Sequence, residues 1–251
     1  MNDQANFTTR SIQVAFLAIM AGVWYGLTKT GAVTPLFLPP MDIVYATFMR
    51  LVQTGQFWSA VRVTLFTIAQ AWIIAVVAGL LVAYLVTRSR HWTAVMEPLI
   101  ASTFAIPLTL LFPVFILFFG IGPASKVAYA ATYGFFPVAL ITIAGLNSVD
   151  ERYLRAAKSM GASSFDTFRH VLFPAAFPVI LTGLRVSFFI SFASVLGGET
   201  LSSAAGVGKA ISLAAELMEP ARMYAWIVFV IITAVSLNFI VSAIENRRRE
   251  Y

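Results

Sequence analysis

The chain reads as an all-α, polytopic membrane helix bundle of six transmembrane helices, with its N- and C-termini in the cytoplasm. Three observations predict this. Of 251 residues, 59% are hydrophobic and only 11% charged, far short of the roughly 25% charged residues of soluble domains. The charges punctuate apolar blocks of about the 20 residues that a helix needs to cross a bilayer. The basic residues are also shared unequally between alternate connections, as topology signals are. The net charge of +6 comes from residues that form no stripe or aromatic-interleaved patch, so nucleic acid is not an expected partner. The absence of cysteine excludes a disulfide framework, thiolate metal sites and cysteine catalysis.

The elements follow in order. The apolar run behind Arg10 lacks a small-x-small cleavage site and continues into Trp24, Tyr25 and Lys29. It therefore reads as a first membrane helix rather than a signal peptide. Further uncharged windows lie between Arg62 and Arg88, Glu97 and Lys126, Lys126 and Asp150, and Arg222 and Glu245. A sixth, from Val171 to Gly198, is interrupted only by Arg185. Short connections make this a single transmembrane domain over 1–251. After Pro39-Pro40, Met41 to Thr54 reads as an amphipathic helix lying along the outer interface. The third window carries Pro107 and Pro113, which predicts a kinked helix. Such a helix either lines the pathway or reflects how readily membrane bundles accept proline.

With the N-terminus inside, the inner face receives ten Lys and Arg residues and the outer face six, with Arg185 left in the bilayer. Arg247, Arg248 and Arg249 at the end of the last helix anchor it on the cytoplasmic side.

Between the fourth and fifth windows sits a charged insert, 147–174. Ser148-x-x-Glu151 has the form of a capping box and Gly161 that of a helix C-terminus, so a helix is expected from near Val149 to Gly161. Ser163-x-x-Asp166 repeats the box, and a second short helix is expected to reach about Leu172 before Pro174 stops it. The product is a helical elbow whose corner presents Met160, Gly161, Ala162 and Phe165. Small residues at Ala156, Ala157 and Gly161 admit a partner's backbone, and Met and Phe offer apolar anchors. The plainer reading is an intracellular loop with Ala and Gly chosen for helix propensity and capping.

The insert reads Arg155-Ala156-Ala157, three residues, Gly161, nine residues, Val171, one residue, Phe173-Pro174. It resembles the EAA-x3-G-x9-I-x-L-P signature of importer-type ABC permeases, with Arg155 in place of Glu, Val171 in place of Ile and Phe173 in place of Leu. Phe119-Gly120-Ile121-Gly122, Gly161-Ala162-Ser163, Gly183-Leu184-Arg185, Glu199 and Gly206-Val207-Gly208 narrow the likeness to the permeases of nitrate, taurine and alkanesulfonate importers, over about 59–250. The resemblance implies a type I importer permease fold in the bacterial inner membrane. It also implies a pathway for a small, anionic or sulfonate- or carboxylate-like solute delivered by a periplasmic binding protein. The implied partners are two ATP-binding subunits gripped at the elbow, a second permease copy (identical or related) and membrane lipids. Catalysis is not expected of this chain: it needs no cofactor, and ATP and Mg belong to the partner ATPase. The alternative is an ATP-independent secondary transporter or channel, but the six segments do not pair into inverted halves and no Asp or Glu lies mid-helix.

Other candidates weigh less. Gly206-Val207-Gly208-Lys209 fails as a phosphate loop, since Ser203 and Ala210 stand where Gly and Ser or Thr are required. Arg185, within the fifth membrane helix, either attracts an anionic substrate or has a structural role, snorkelling to the cytoplasmic face or bonding helix carbonyls. Glu199 has several readings: lining the pathway, touching the binding protein, pairing across a dimer, or holding structure and gating. With Pro107, these two are the pathway candidates. His91 and His170 have no carboxylate cluster, so no metal site is expected.

Overall fold

The computed structural model describes residues 2–249, with side chains from Ile12 to Ile240 (Val14 and Leu17 excepted) and at Ser242. The side chains of Arg10, Arg247, Arg248 and Arg249, on which part of the orientation reading rests, lie outside the described residues. The elements run α1 Asn2–Lys29, α2 Met41–Val52, α3 Gly55–Thr87, α4 Arg90–Phe104, a 3-10 turn Leu108–Leu111, α5 Phe112–Phe119, α6 Pro123–Asn147 and α7 Glu151–Ser159. There follow α8 Ser164–Thr167, a π turn Phe168–Leu172, α9 Phe173–Leu201, α10 Val207–Glu216 and α11 Pro220–Arg249. No strand occurs among the described residues.

Four stretches are long and apolar enough to span a bilayer: Gly55–Thr87, Pro123–Asn147, Ser164–Leu201 and Pro220–Ile240. The pair α4 and α5, bent by 74°, makes a fifth if it counts as one span. α1 is helical where the first window predicts it, but it is not among these stretches. Large apolar side chains stand exposed along the spans, such as Val77 at 62% and Phe239 at 70%, as a surface facing lipid requires.

Two expectations need correction here. The third window does not form one kinked helix. α4 ends at Phe104, and the chain turns before resuming in the 3-10 turn and α5. Pro107 has no N–H for the next helical bond and disfavours helical backbone at Ile106. Pro113, by contrast, falls in the first turn of α5, where its missing donor costs nothing. Lys126, which separates the third and fourth windows in the sequence, is also not a break between helices. It lies inside α6, 1% exposed, and its ammonium donates back to the carbonyls of Ile121 and Gly122. Pro123 at the helix start winds the chain early enough to carry the lysine indoors.

The chain divides into two compact units. The first, Met1–Ser59 with Ala210–Thr233, is built on aromatics. Phe57 stacks on Trp226 with centroids 4.9 Å apart and meets Phe229 edge-on at 4.9 Å. Trp24 Nε1 donates to the Pro39 carbonyl (3.0 Å) and Tyr224 Oη to that of Phe37 (3.0 Å), tying down the segment before α2.

The second unit, Ala60–Lys209 with Ala234–Tyr251, centres on α6 packed along α9. The helices approach through small residues. A Cβ on Gly134 would lie 3.0 Å from Ser187 Oγ and 3.1 Å from Ala75 Cβ, and one on Gly183 would lie 3.1 Å from Ile141 Cβ. Such close backbones supply dispersion contact where lipid removes the hydrophobic drive between helices. The bent pair folds its aromatics over α6, with Phe104 stacked on Phe136 at 5.4 Å and Phe112 edge-on to Tyr129 at 5.0 Å.

Candidate coupling elbow and transport site

The insert folds as an elbow, with its first cap shifted. Ser148 spends its hydroxyl on the Gly145 carbonyl (2.8 Å) and closes α6. The cap of α7 is Asp150, whose Oδ1 accepts from the Arg152 N–H at 2.8 Å. The Arg152 side-chain hydrogen bonds, at 2.8 and 2.6 Å, hold the Asp150 carboxyl below the usual carboxylate range. α7 ends in a Schellman turn: the Gly161 N–H donates to Lys158 O at 3.0 Å and the Ala162 N–H to Ala157 O at 3.1 Å. Gly161 has φ of +77°, as that turn requires. The second box forms where it is predicted, with the Asp166 N–H donating to Ser163 Oγ at 3.1 Å.

Pro174 does not stop the second helix. α8, the π turn and α9 form one run, Ser164–Leu201. Proline leaves the carbonyl four residues back without its donor, and the wider π turn just ahead of it absorbs the mismatch. The outer arm of the elbow is thus continuous with a membrane span. Its inner side rests on α3, where Phe168 meets Tyr84 edge-on at 4.5 Å.

At the corner, Met160 is 86% and Phe165 59% exposed. Ala156 and Gly161 are also exposed and Ala162 half-buried. Ala157 is buried and packs inward. Val171, in the π turn, is half-buried, and Pro174 is exposed. Arg155 pairs with Glu151 at 3.8 Å while remaining 71% exposed, and Arg90 pairs with the same carboxylate.

The three pathway candidates are not brought together. Pro107 sits at the break of the bent pair. Arg185 Nη2 donates to Asn238 Oδ1 at 2.5 Å and Ser242 Oγ at 2.9 Å, joining α9 to α11. Glu199 is 2% exposed and forms a clasp. It accepts from Thr64 Oγ1 (2.8 and 3.0 Å) and from the Gly208 N–H (2.9 Å), while Thr64 Oγ1 accepts from the Val207 N–H at 2.8 Å. The carboxylate thereby caps the start of α10 from within the same chain. Gly208 permits this approach, since a Cβ there would fall 2.5 Å from the Leu196 carbonyl and 2.6 Å from Glu199 Cβ. The sequence reading missed Thr64 and Lys126. A threonine in an apolar window carries no signal of its role, but a lysine among small residues just after a glycine turn could have been suspected of folding inward.

A cavity of about 980 Å³ opens along the second unit between one stripe of α3 (Val63, Phe66, Gln70, Ile74) and α6, with Phe115 and Phe119 of α5 also lining it. Pro107, Arg185 and Glu199 are not among its lining residues. No group of His, Cys, Asp or Glu among the described residues could hold a metal ion.

Apolar spans around a wide cavity, with an ordered charged elbow between two of them, define a membrane-spanning transport protein. The chain belongs to the family of binding-protein-dependent transport system inner membrane components, which it matches over residues 75–250. It is 28% identical over 242 residues to the taurine transport system permease protein TauC of Escherichia coli, covering 94% of this chain and 88% of the relative. It is 25% identical over 230 residues to a putative aliphatic sulfonates transport permease protein, SsuC, of Bacillus subtilis, covering 92% and 83%. Its fold is shared with a crystal structure of an amino acid ABC transporter, at TM-score 0.66 and 22% identity over 80% of this chain and 98% of that one. An inward-facing structure of the MetNI methionine ABC transporter aligns with TM-score 0.65 and 18% identity, over 76% and 96%. The chain is the permease subunit of an ABC importer, a reading favoured over that of a secondary transporter or channel. Such subunits are in general non-catalytic and work with ATPase and binding-protein partners.

Proposed function

We propose that this permease forms half of the pathway by which a small sulfonate-class anion, delivered by a periplasmic binding protein, crosses the bacterial inner membrane. In this reading the chain makes six spans with both termini cytoplasmic, and the elbow lies on the cytoplasmic side, where each of two permease copies seats one ATP-binding subunit. ATP and Mg are bound by those subunits, for this chain carries no phosphate loop. Lipid surrounds the exposed apolar faces of the spans.

The observation that carries the coupling role is the elbow itself. Its corner is fixed by a Schellman turn, displays Met160 and Phe165 to a partner, and continues without a break into α9. Closure of the ATPase pair would push each elbow as a rigid body, and α9, packed along α6, would transmit the movement into the bundle. The names of the relatives support a sulfonate as cargo.

The test is reconstitution in liposomes with the ATPase subunits and binding protein that co-purify with this permease. Taurine-loaded binding protein is expected to stimulate ATP hydrolysis and taurine uptake, and Met160→Asp with Phe165→Asp to abolish both while the permease still inserts. Unchanged stimulation in the double variant would remove the elbow from the mechanism.

A further inference from the structure

Gln70 lies near the middle of α3, about 22 Å from its start and about 26 Å from its end at 1.5 Å per residue. It is exposed, and its amide makes no hydrogen bond among the described residues. An unpaired amide at mid-membrane is costly against lipid, and polar groups at that depth usually face water or a partner. Here Gln70 faces the 980 Å³ cavity, whose other lining residues are apolar or threonine and none of which is charged. A largely apolar hollow with a few placed polar groups is the usual form of a small-molecule site. Thr67 and Thr132 also line it, but their hydroxyls donate to the helix carbonyls of Val63 and Ala128 at 2.8 Å. Gln70 is therefore the lining group with free N–H donors.

We propose that Gln70 is a specificity residue of the translocation pathway, its side-chain amide donating to the anionic oxygens of the solute while the apolar walls accept the short carbon body. The inference rests on the import of a sulfonate-class anion proposed above. The neutrality of the lining fits transit rather than storage. A buried guanidinium would hold an anion too tightly to release, whereas conduction needs sites weak enough to leave. Arg185, engaged with Asn238 and Ser242, is outside the cavity and does not serve this purpose.

The chain has no cysteine, so Gln70→Cys supplies a unique thiol on it for the reconstituted complete transporter. A membrane-impermeant maleimide is expected to modify that thiol, and millimolar taurine to slow the modification at least fivefold. Gln70→Leu should weaken taurine transport about tenfold, as expected for a lost hydrogen bond to a charged group. Gln70→Glu should abolish transport by like-charge repulsion, and Gln70→Asn should keep most of it, all with basal ATP hydrolysis within twofold of wild type. Three outcomes would overturn the proposal: an unreactive thiol, Leu and Glu variants that carry taurine normally, or variants that fail to co-purify as a complex. The last would make the amide a contact between subunits. If the wild-type transporter moves no taurine, the sulfonate reading fails separately, while maleimide accessibility still decides whether Gln70 faces an aqueous pathway.

Discussion

Replacing Gly161 by valine isolates the elbow from the rest of the fold. Gly161 has φ of +77°, and a Cβ built there meets no atom within 4 Å. The substitution therefore introduces no clash, and its cost is that of left-handed backbone in an L-residue, about 1–2 kcal/mol. If the turn relaxes instead, the two Schellman hydrogen bonds are lost at about 1 kcal/mol each. Either way the penalty is a modest part of the 5–15 kcal/mol typical of folded domains, and it falls on an exposed corner. Insertion and yield should stay near wild type while Met160 and Phe165 lose their fixed bearing. The assay is ATP hydrolysis stimulated by loaded binding protein in liposomes, expected to drop about tenfold, with Gly161→Ala intermediate. Gly208→Ala is the opposing control, because its Cβ would collide with Leu196 O and Glu199 and should cost folded protein before coupling. Full stimulation in Gly161→Val would refute the idea that this corner transmits force.

Thr64→Val keeps the shape of the side chain but strands the Val207 N–H and Glu199 Oε1, while Oε2 keeps the Gly208 N–H. Each unmade bond costs about 1–3 kcal/mol, so the melting temperature of the detergent-solubilised chain should fall by several degrees. Arg155→Glu sets a like charge against Glu151, a penalty of only about 0.2–0.5 kcal/mol within a helix. A large loss of ATPase binding in a pull-down would thus report a partner contact, and Arg155→Ala should remain mild. Arg185→Gln should lower the yield of folded permease by size exclusion, since charged hydrogen bonds to Asn238 and Ser242 contribute about 1.5–3 kcal/mol each. Arg185→Lys should recover much of that yield. Asp150 has a folded pKa below its unfolded value, so its capping contribution is present above the unfolded value and is lost as pH falls through the folded one. The protection of α7 amides against hydrogen exchange, corrected for the intrinsic pH dependence of the exchange rate, should fall on acidification in wild type and be low and independent of pH in Asp150→Ala.

The elbow was largely legible because its determinants are local. Ser163 and Asp166 sit three residues apart, and the Schellman bonds link residues three and five apart. The first cap was misplaced by two positions because both Ser148 and Asp150 are good capping residues, and only the course of α6 shows that Ser148 is already engaged. Pro174 misled for a related reason: the stop rule holds for an α-helix, and the π turn evades it. α4 and α5 show the converse, where Pro107 and Pro113 in one apolar window predict a kink but not the full break and its 74° bend, across which both helices pack aromatics on α6.

Sequence by itself determined the class of the molecule, most of its membrane helices, and an ordered elbow with its glycine corner. Each of these follows from composition, from runs of some twenty residues, or from spacings within two helical turns. Tertiary structure alone decided that Lys126 turns inward, that Glu199 closes on Thr64 across 135 positions, and that Gln70 borders a cavity while Arg185 does not. A polar side chain in a membrane helix takes its role from whichever face its neighbours leave open, and those neighbours come from distant parts of the chain.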